Sequence, residues 1–243
     1  MSFDIAALVG ACFVAAFCSG VAGFSFNLVA AGILFHVLPP QQTAPVLVLS
    51  SLLIQLGTVG AVWKAIRWRE LLPFLVTGLA GTPLGVAVLR MADGASIKFG
   101  IGLLLVAYGG YMLARIALRL DPPRIRAGRA ADAAVGFAGG MLGGIGGFSG
   151  ALPTMWTDLK GMRKDEARAI FQPFILVMQA AAVLALAGAG FFDARAGWSL
   201  LMALPALAVG TYLGIKAYQA LPAEAFRVVL LGLLFVSGLS LVI

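Results

Sequence analysis

Gly139 to Thr154 reads GGMLGGIGGFSGALPT. It holds seven glycines and no charge, and it lies between apolar runs where a helix is expected. Gly136, Gly140 and Gly144 share one helical face, and Gly139, Gly143 and Gly147 share the next. Small residues at four-residue spacing let helix backbones approach closely in lipid. From Gly146 to Gly150 the glycines crowd. Each costs a helix about 1 kcal/mol against alanine. Pro153 lacks an N–H and suits the first turn of a new helix. The stretch therefore predicts a helix ending near Gly146, a short unwound segment, and a second helix starting near Leu152. Broken backbone at membrane depth is tolerated only where protein or a water-filled cavity surrounds it. Half-helix ends of this kind form substrate sites in secondary transporters, and a helix N-terminus favours an anion. The plainer alternative is that the glycines only permit tight packing.

The surrounding composition makes the membrane setting necessary. Of 243 residues, 61% are hydrophobic and 11% charged, and the mean hydropathy is +1.02. Soluble domains are nearer a quarter charged. The net charge of +7 comes from basic residues between apolar runs, where orientation signals lie, so no nucleic-acid partner is expected. Cys12 and Cys18 both sit in the first apolar run, without a Cys/His cluster, so no metal or other cofactor is expected. That run has no basic leader, which reads as a retained membrane segment.

The expected fold is all-α and polytopic, with two internal repeats of about four apolar segments. Residues 1–115 form the first repeat, 116–131 a basic linker on the cytoplasmic side, and 132–243 the second repeat. The first run, Ile5 to Leu38, is interrupted from Ser19 to Asn27. As one straight helix it would be about 50 Å long, against a hydrocarbon core of about 30 Å. Helices are then expected over Ala44–Trp63, Leu71–Leu89 and Ile97–Ala114. Gly23-Phe24-Ser25 matches Gly147-Phe148-Ser149, and at the same offset Gln55 falls on Gln179. After an insertion, Gly81-Thr82-Pro83-Leu84-Gly85 matches Gly210-Thr211-Tyr212-Leu213-Gly214. Ordered matches point to duplication and to a transporter built from related halves. Chance matching among apolar helices is the alternative.

These features resemble the sulfite exporter TauE/SafE family. The resemblance rests on the Gly-rich break in each half, the basic linker, and GGMLGGIGGFSGALPTMW followed by the run from Lys164 to Phe174. It implies transport of small sulfur oxyanions, organosulfonates or related carboxylates. No acid–base or nucleophile constellation of His, Cys or Asp lies within the apolar runs, so no enzyme activity is expected. The first repeat departs from the pattern, with a sparser glycine cluster and Asn27 where the second half has Ala151.

All ten acidic residues lie near segment ends or in loops, so no buried carboxylate relay is expected. The candidate substrate site is polar and uncharged: Ser25, Asn27, Gln55, Thr82, Ser149, Thr154, Gln179 and Thr211, with backbone N–H groups of Gly146, Gly147 and Gly150. Each hydroxyl could instead bond its own helix, and the glutamines could be glue between helices. Arg168 could meet substrate at the mouth of the site or snorkel. His36 reads as interfacial, and Trp63, Trp68, Trp156 and Trp198 read as belt anchors.

The expected function is an exporter of small anions such as sulfite in a multi-pass protein of the bacterial inner membrane. Its partners are the anion and the bilayer, and a homodimer is open to it. Alternatives are a cation-coupled importer of small organic acids and a scaffold that transports nothing. Basic residues decide between topologies. If each broken segment crosses, they fall almost evenly on the two sides. If each re-enters as a hairpin, fourteen lie on the linker side and three, Arg90, Lys98 and Arg195, on the other. The second count fits the positive-inside rule and makes the repeats inverted.

Overall fold

The computed structural model describes residues 2–22, 25–120, 124–220 and 223–243, and every regular element among them is helical. Gly23 and Phe24, part of the first matched motif, lie outside the described residues, as does the side chain of Arg227. The first half comprises α1 (Ser2–Ala22), α2 (Phe26–Leu34), α3 (Pro40–Thr58), α4 (Trp68–Met91) and α5 (Gly94–Ala117). The second comprises α6 (Arg129–Gly146), α7 (Ala151–Leu159), α8 (Lys164–Gly188), α9 (Ala194–Ala220) and α10 (Ala223–Val242). The chain is a polytopic α-helical membrane protein.

Among the described residues, four helices are long and apolar enough to cross a membrane: α4, α5, α8 and Ala194–Ala217 within α9. The apolar stretches Ile5–Val21 and Val228–Val242 lie within α1 and α10. Helix α3 carries Gln41, Gln42, Ser50, Ser51 and Gln55, which dilute its hydropathy. It begins at Pro40, with Pro39 as cap, and ends at Thr58 in two 3-10 turns, so it is shifted from the expected Ala44–Trp63. Proline at the first helical position loses only an N–H that has no helical partner. Helices α4 and α5 overrun their expected ends by a turn or less, and α5 is capped by Asp93, whose carboxylate accepts from the Ser96 N–H at 3.2 Å.

The second broken segment is a hairpin. Helix α6 ends at Gly146, Gly147 adopts the left-handed conformation (φ 81°), and a 3-10 turn over Phe148–Gly150 leads into α7. Only glycine takes that conformation at little cost. Helix α7 runs back along α6. Near its end, the Trp156 indole N–H donates to Asp132 in the first turn of α6 at 2.7 Å, and Lys160 pairs with the same carboxylate at 2.6 Å. The Ile125 N–H, just before α6, donates to the Leu159 carbonyl at 3.0 Å. Entry and exit are therefore on one side. Trp156 is thus a partly buried hairpin staple, not the belt anchor expected, whereas Trp63, Trp68 and Trp198 are exposed.

The two halves exchange their first helices. Gly136 faces Phe74 of α4, Gly140 faces Gly78, and Gly144 faces Thr82 and Val86, so α4 and α6 run parallel in backbone contact. Gly210 of α9 faces the Phe13 carbonyl of α1, and Gly214 faces Phe17 and Gly20. These contacts are equivalent at the offsets read from the sequence. Gly81 meets Phe137 and Met141 where Gly210 meets Phe13 and Phe17, and Gly144 meets Thr82 where Gly20 meets Thr211. The third pairing sets the direction. Gly102 of α5 faces Leu241 and Val242 at the end of α10, while Gly109 faces Leu231 and Phe235 earlier in it. Helices α5 and α10 are therefore antiparallel. A second broken segment that crossed the membrane once would make them parallel, and a hairpin there makes them antiparallel.

Candidate functional site

Helix α1 runs alongside α9, and His36 just past α2 meets Ser240 at the end of α10, so α2 returns to the side where α1 begins and the first segment is a hairpin too. The start of α2 and the Gly147 turn meet inside the bundle. Asn27, on the first turn of α2, donates its side-chain N–H to the carbonyl of Gly147 at 2.5 Å. Gln179 of α8 donates to the same carbonyl at 2.9 Å and to the Ser51 hydroxyl of α3 at 3.0 Å. Helices α2 and α8, distant in sequence, thus converge on one peptide unit, and α3 is tied to them through Ser51. A side chain at Gly147 would collide with the amide of Asn27, which adds a steric reason for glycine to its left-handed backbone.

The polarity at this turn differs from the expected cradle of backbone donors. The Gly147 N–H is spent on the Gly143 carbonyl at 2.7 Å, closing the end of α6. It is the Gly147 carbonyl that faces the other hairpin. A carbonyl can only accept, so the amide nitrogens of Asn27 and Gln179 must both point at it. Both hydrogens of the Gln179 amide are engaged, and its oxygen is left over.

In the residues that make this junction, or within two positions of them in sequence, several polar atoms are fully buried without a hydrogen-bond partner among the described residues. They are the hydroxyls of Ser25, Ser50 and Ser149 and the amide oxygens of Asn27 and Gln179. Each such group costs about 1–3 kcal/mol when left unpaired in a folded interior. Clusters of them mark places where a ligand or water completes the structure. Ser149 is fixed against the glycine face of α6, with its Cβ near Gly143. Ser50 belongs to the buried polar face of α3, a feature that hydropathy alone does not separate from ordinary helix hydroxyls.

The other expected residues sit differently. Gln55 is buried, and its oxygen accepts from Thr58 at 3.2 Å. Thr154 bonds back to the Gly150 carbonyl at 2.6 Å, and Thr82 to the Gly78 carbonyl at 3.0 Å, each within its own helix. Thr82 also touches the sulfur of Met178, beside Gln179. Thr211 keeps an unpartnered hydroxyl where α9 meets Gly20 of α1. Gly146 and Gly150 are buried at either side of the turn. Arg168 stands near the start of α8, away from the turn, with an interaction of its own. His36 is exposed and shares a hydrogen bond of 2.9 Å with Ser240.

At the linker end an open cleft of about 640 Å³ is lined by Arg67, Glu70, Arg126, Lys160 and Glu166, among others. Arg67 pairs with Glu70 at 2.5 Å and approaches Glu166 at 3.8 Å. Below it, Asp132 ties Lys160 and Trp156, and Arg115 at the end of α5 pairs with Asp158 of α7. These charged groups are thus gathered at the rim, and among the described residues none is bonded to Asn27, Gly147 or Gln179.

Neither the curated proteins nor the solved structures compared with this chain gave a match. A family model, Sulfite exporter TauE/SafE, matches residues 8–241. That covers nearly the whole chain, the hairpins included. The chain belongs to the sulfite exporter TauE/SafE family, whose members are membrane transporters of sulfite- and sulfonate-type anions, not enzymes.

Proposed function

We propose that the protein exports a small sulfur oxyanion across a bacterial inner membrane, holding it where the two hairpin turns meet. The carrying observation is that Asn27 and Gln179, which meet at the Gly147 carbonyl, and Ser25, Ser50 and Ser149, near them or their partners in sequence, all carry buried, unpartnered polar atoms. Neutral hydroxyl and amide groups can hold an anion that must also leave, as weak binding does in channels. A lysine or arginine at the same depth would hold it too well. The linker faces the cytoplasm in this reading, and the cleft with Arg67, Arg126 and Lys160 raises the local anion concentration at the entrance.

Residues 1–115 and 132–243 act as two inverted repeats around this site, joined by the basic segment 116–131. Because α1 packs on α9 and α6 on α4, each hairpin is carried largely by the opposite half. Rocking one half against the other would then open the junction to either side. An anion leaving the cell gains about 2.3 kcal/mol per charge per 100 mV of inside-negative potential, so export needs no coupling ion. The test is flux of labelled sulfite, sulfoacetate and lactate from liposomes holding the purified protein under an imposed potential. Potential-driven sulfite or sulfoacetate flux supports the reading. Cation-dependent lactate flux would replace it with an organic-acid importer, and flux of none by a folded protein with a scaffold.

A further inference from the structure

We infer that the junction selects an oxyanion that still carries an O–H, a singly charged hydrogen-bearing ion, over a fully deprotonated ion or a sulfonate without a hydroxyl. The inference rests on the transport reading above and narrows its substrate class. Its basis is the orientation of two amides. Asn27 and Gln179 both turn their nitrogens to the Gly147 carbonyl, which can only accept. That fixes the amide oxygens on their other sides. Both oxygens are buried and unpartnered, and they are acceptors. Gln179 has no amide hydrogen left for an anion, because the second is given to Ser51.

A bare anion offers such oxygens only repulsion between lone pairs. An ion with one O–H can donate to one of them while its remaining oxygens accept from the hydroxyls of Ser25, Ser50 or Ser149. Charge argues in the same direction. No ionisable side chain joins the cluster among the described residues, and the cost of burying charge without a counter-ion grows with the square of that charge. A single charge spread over several oxygens is the tolerable case.

The experiment measures ligand-induced thermal stabilisation of the purified protein, with flux from proteoliposomes recorded alongside. Stabilisation reads binding without requiring transport. Sulfite is titrated at pH values on either side of its second ionisation, and methanesulfonate, equal in charge and similar in size but lacking O–H, is its comparison. The expected result is an apparent affinity that follows the concentration of hydrogen sulfite as pH rises, with methanesulfonate binding at least tenfold more weakly. Gln179→Ala should bring the two ligands within about threefold of each other, since an acceptor has gone. Equal binding of methanesulfonate, affinity that follows the dianion, or no stabilisation by either would overturn the inference. Selective binding without flux would leave the inference standing and refute the transport reading alone.

Discussion

The Asn27 amide and the Gly147 carbonyl, on opposite hairpins, are joined by a hydrogen bond of 2.5 Å buried inside the bundle. The two residues stand in different halves of the chain, and at the offset that matches Gly23-Phe24-Ser25 to Gly147-Phe148-Ser149 the position corresponding to Asn27 is Ala151. One side chain thus closes the junction from one side only. Asn27→Ala should raise the KM for sulfite flux roughly tenfold, within the 1–3 kcal/mol typical of a lost buried hydrogen bond. Flux titration checks it. An unchanged KM would mean that the junction is only a structural seam.

The glycine contacts between halves make a symmetric prediction. Gly85 lies against the Met141 carbonyl and Gly214 against the Phe17 carbonyl, backbone to backbone. A side chain has nowhere to move at either place. Gly85→Val and Gly214→Val should each cost about 3 kcal/mol or more, since overpacking rigid contacts is at the upper end of such penalties. Thermal melting in detergent should show similar losses for both. Tolerance of either would remove that helix pair from the account.

Much of this was readable in the chain. The break at Gly146, the proline-tolerant start of α7 and the register of the duplicated Gly-Thr-x-x-Gly motif follow from backbone cost and spacing, and Gly81, Gly85, Gly210 and Gly214 fall where that register puts them. Helix exchange was not readable, because a glycine face says that a helix comes close but not which one. The polarity of the Gly147 turn was not readable either. It depends on a left-handed residue that turns its carbonyl outward, and Gly147 looks like any other glycine in a row of seven. Ser50 was missed for a related reason, since one serine in an apolar helix bonds its own backbone as readily as a ligand.

The hairpin base offers a test of how the broken segment is held. Asp132 accepts from Trp156 and pairs with Lys160, whose side chain is 21% exposed against 9% for Asp132. Asp132→Ala leaves an ammonium and an indole N–H without an acceptor and should cost about 3 kcal/mol, the low end for a broken buried pair because Lys160 retains some water. The equivalent positions in the first hairpin are Leu8 and His36, so a base without an ion pair is compatible with this fold. Asp132→Leu combined with Lys160→Met should therefore recover most of the loss in a melting experiment. Failure to recover would assign the ion pair a role beyond holding α7 on α6.

Topology has its own measurement. With α5 and α10 antiparallel and both broken segments folded as hairpins, the two chain ends share the side opposite the linker. Ser2→Cys and Ser240→Cys, each in a background with Cys12→Ala and Cys18→Ala, should react with an impermeant thiol reagent added to intact cells. Reaction of both only after permeabilisation would invert the orientation and place the basic linker outside, against the positive-inside rule.

The central claim is that an anion crosses at the junction of the two turns. The most direct measurement is sulfite efflux from proteoliposomes that hold the double variant Asn27→Ala and Gln179→Ala, with its melting profile recorded in the same preparation. The account predicts a cooperative melt, showing a folded protein, together with efflux reduced at least tenfold at a sulfite concentration that half-saturates the unaltered protein. Efflux equal to that of the unaltered protein, from a variant with the same melt, would contradict it and move the pathway away from Gly147.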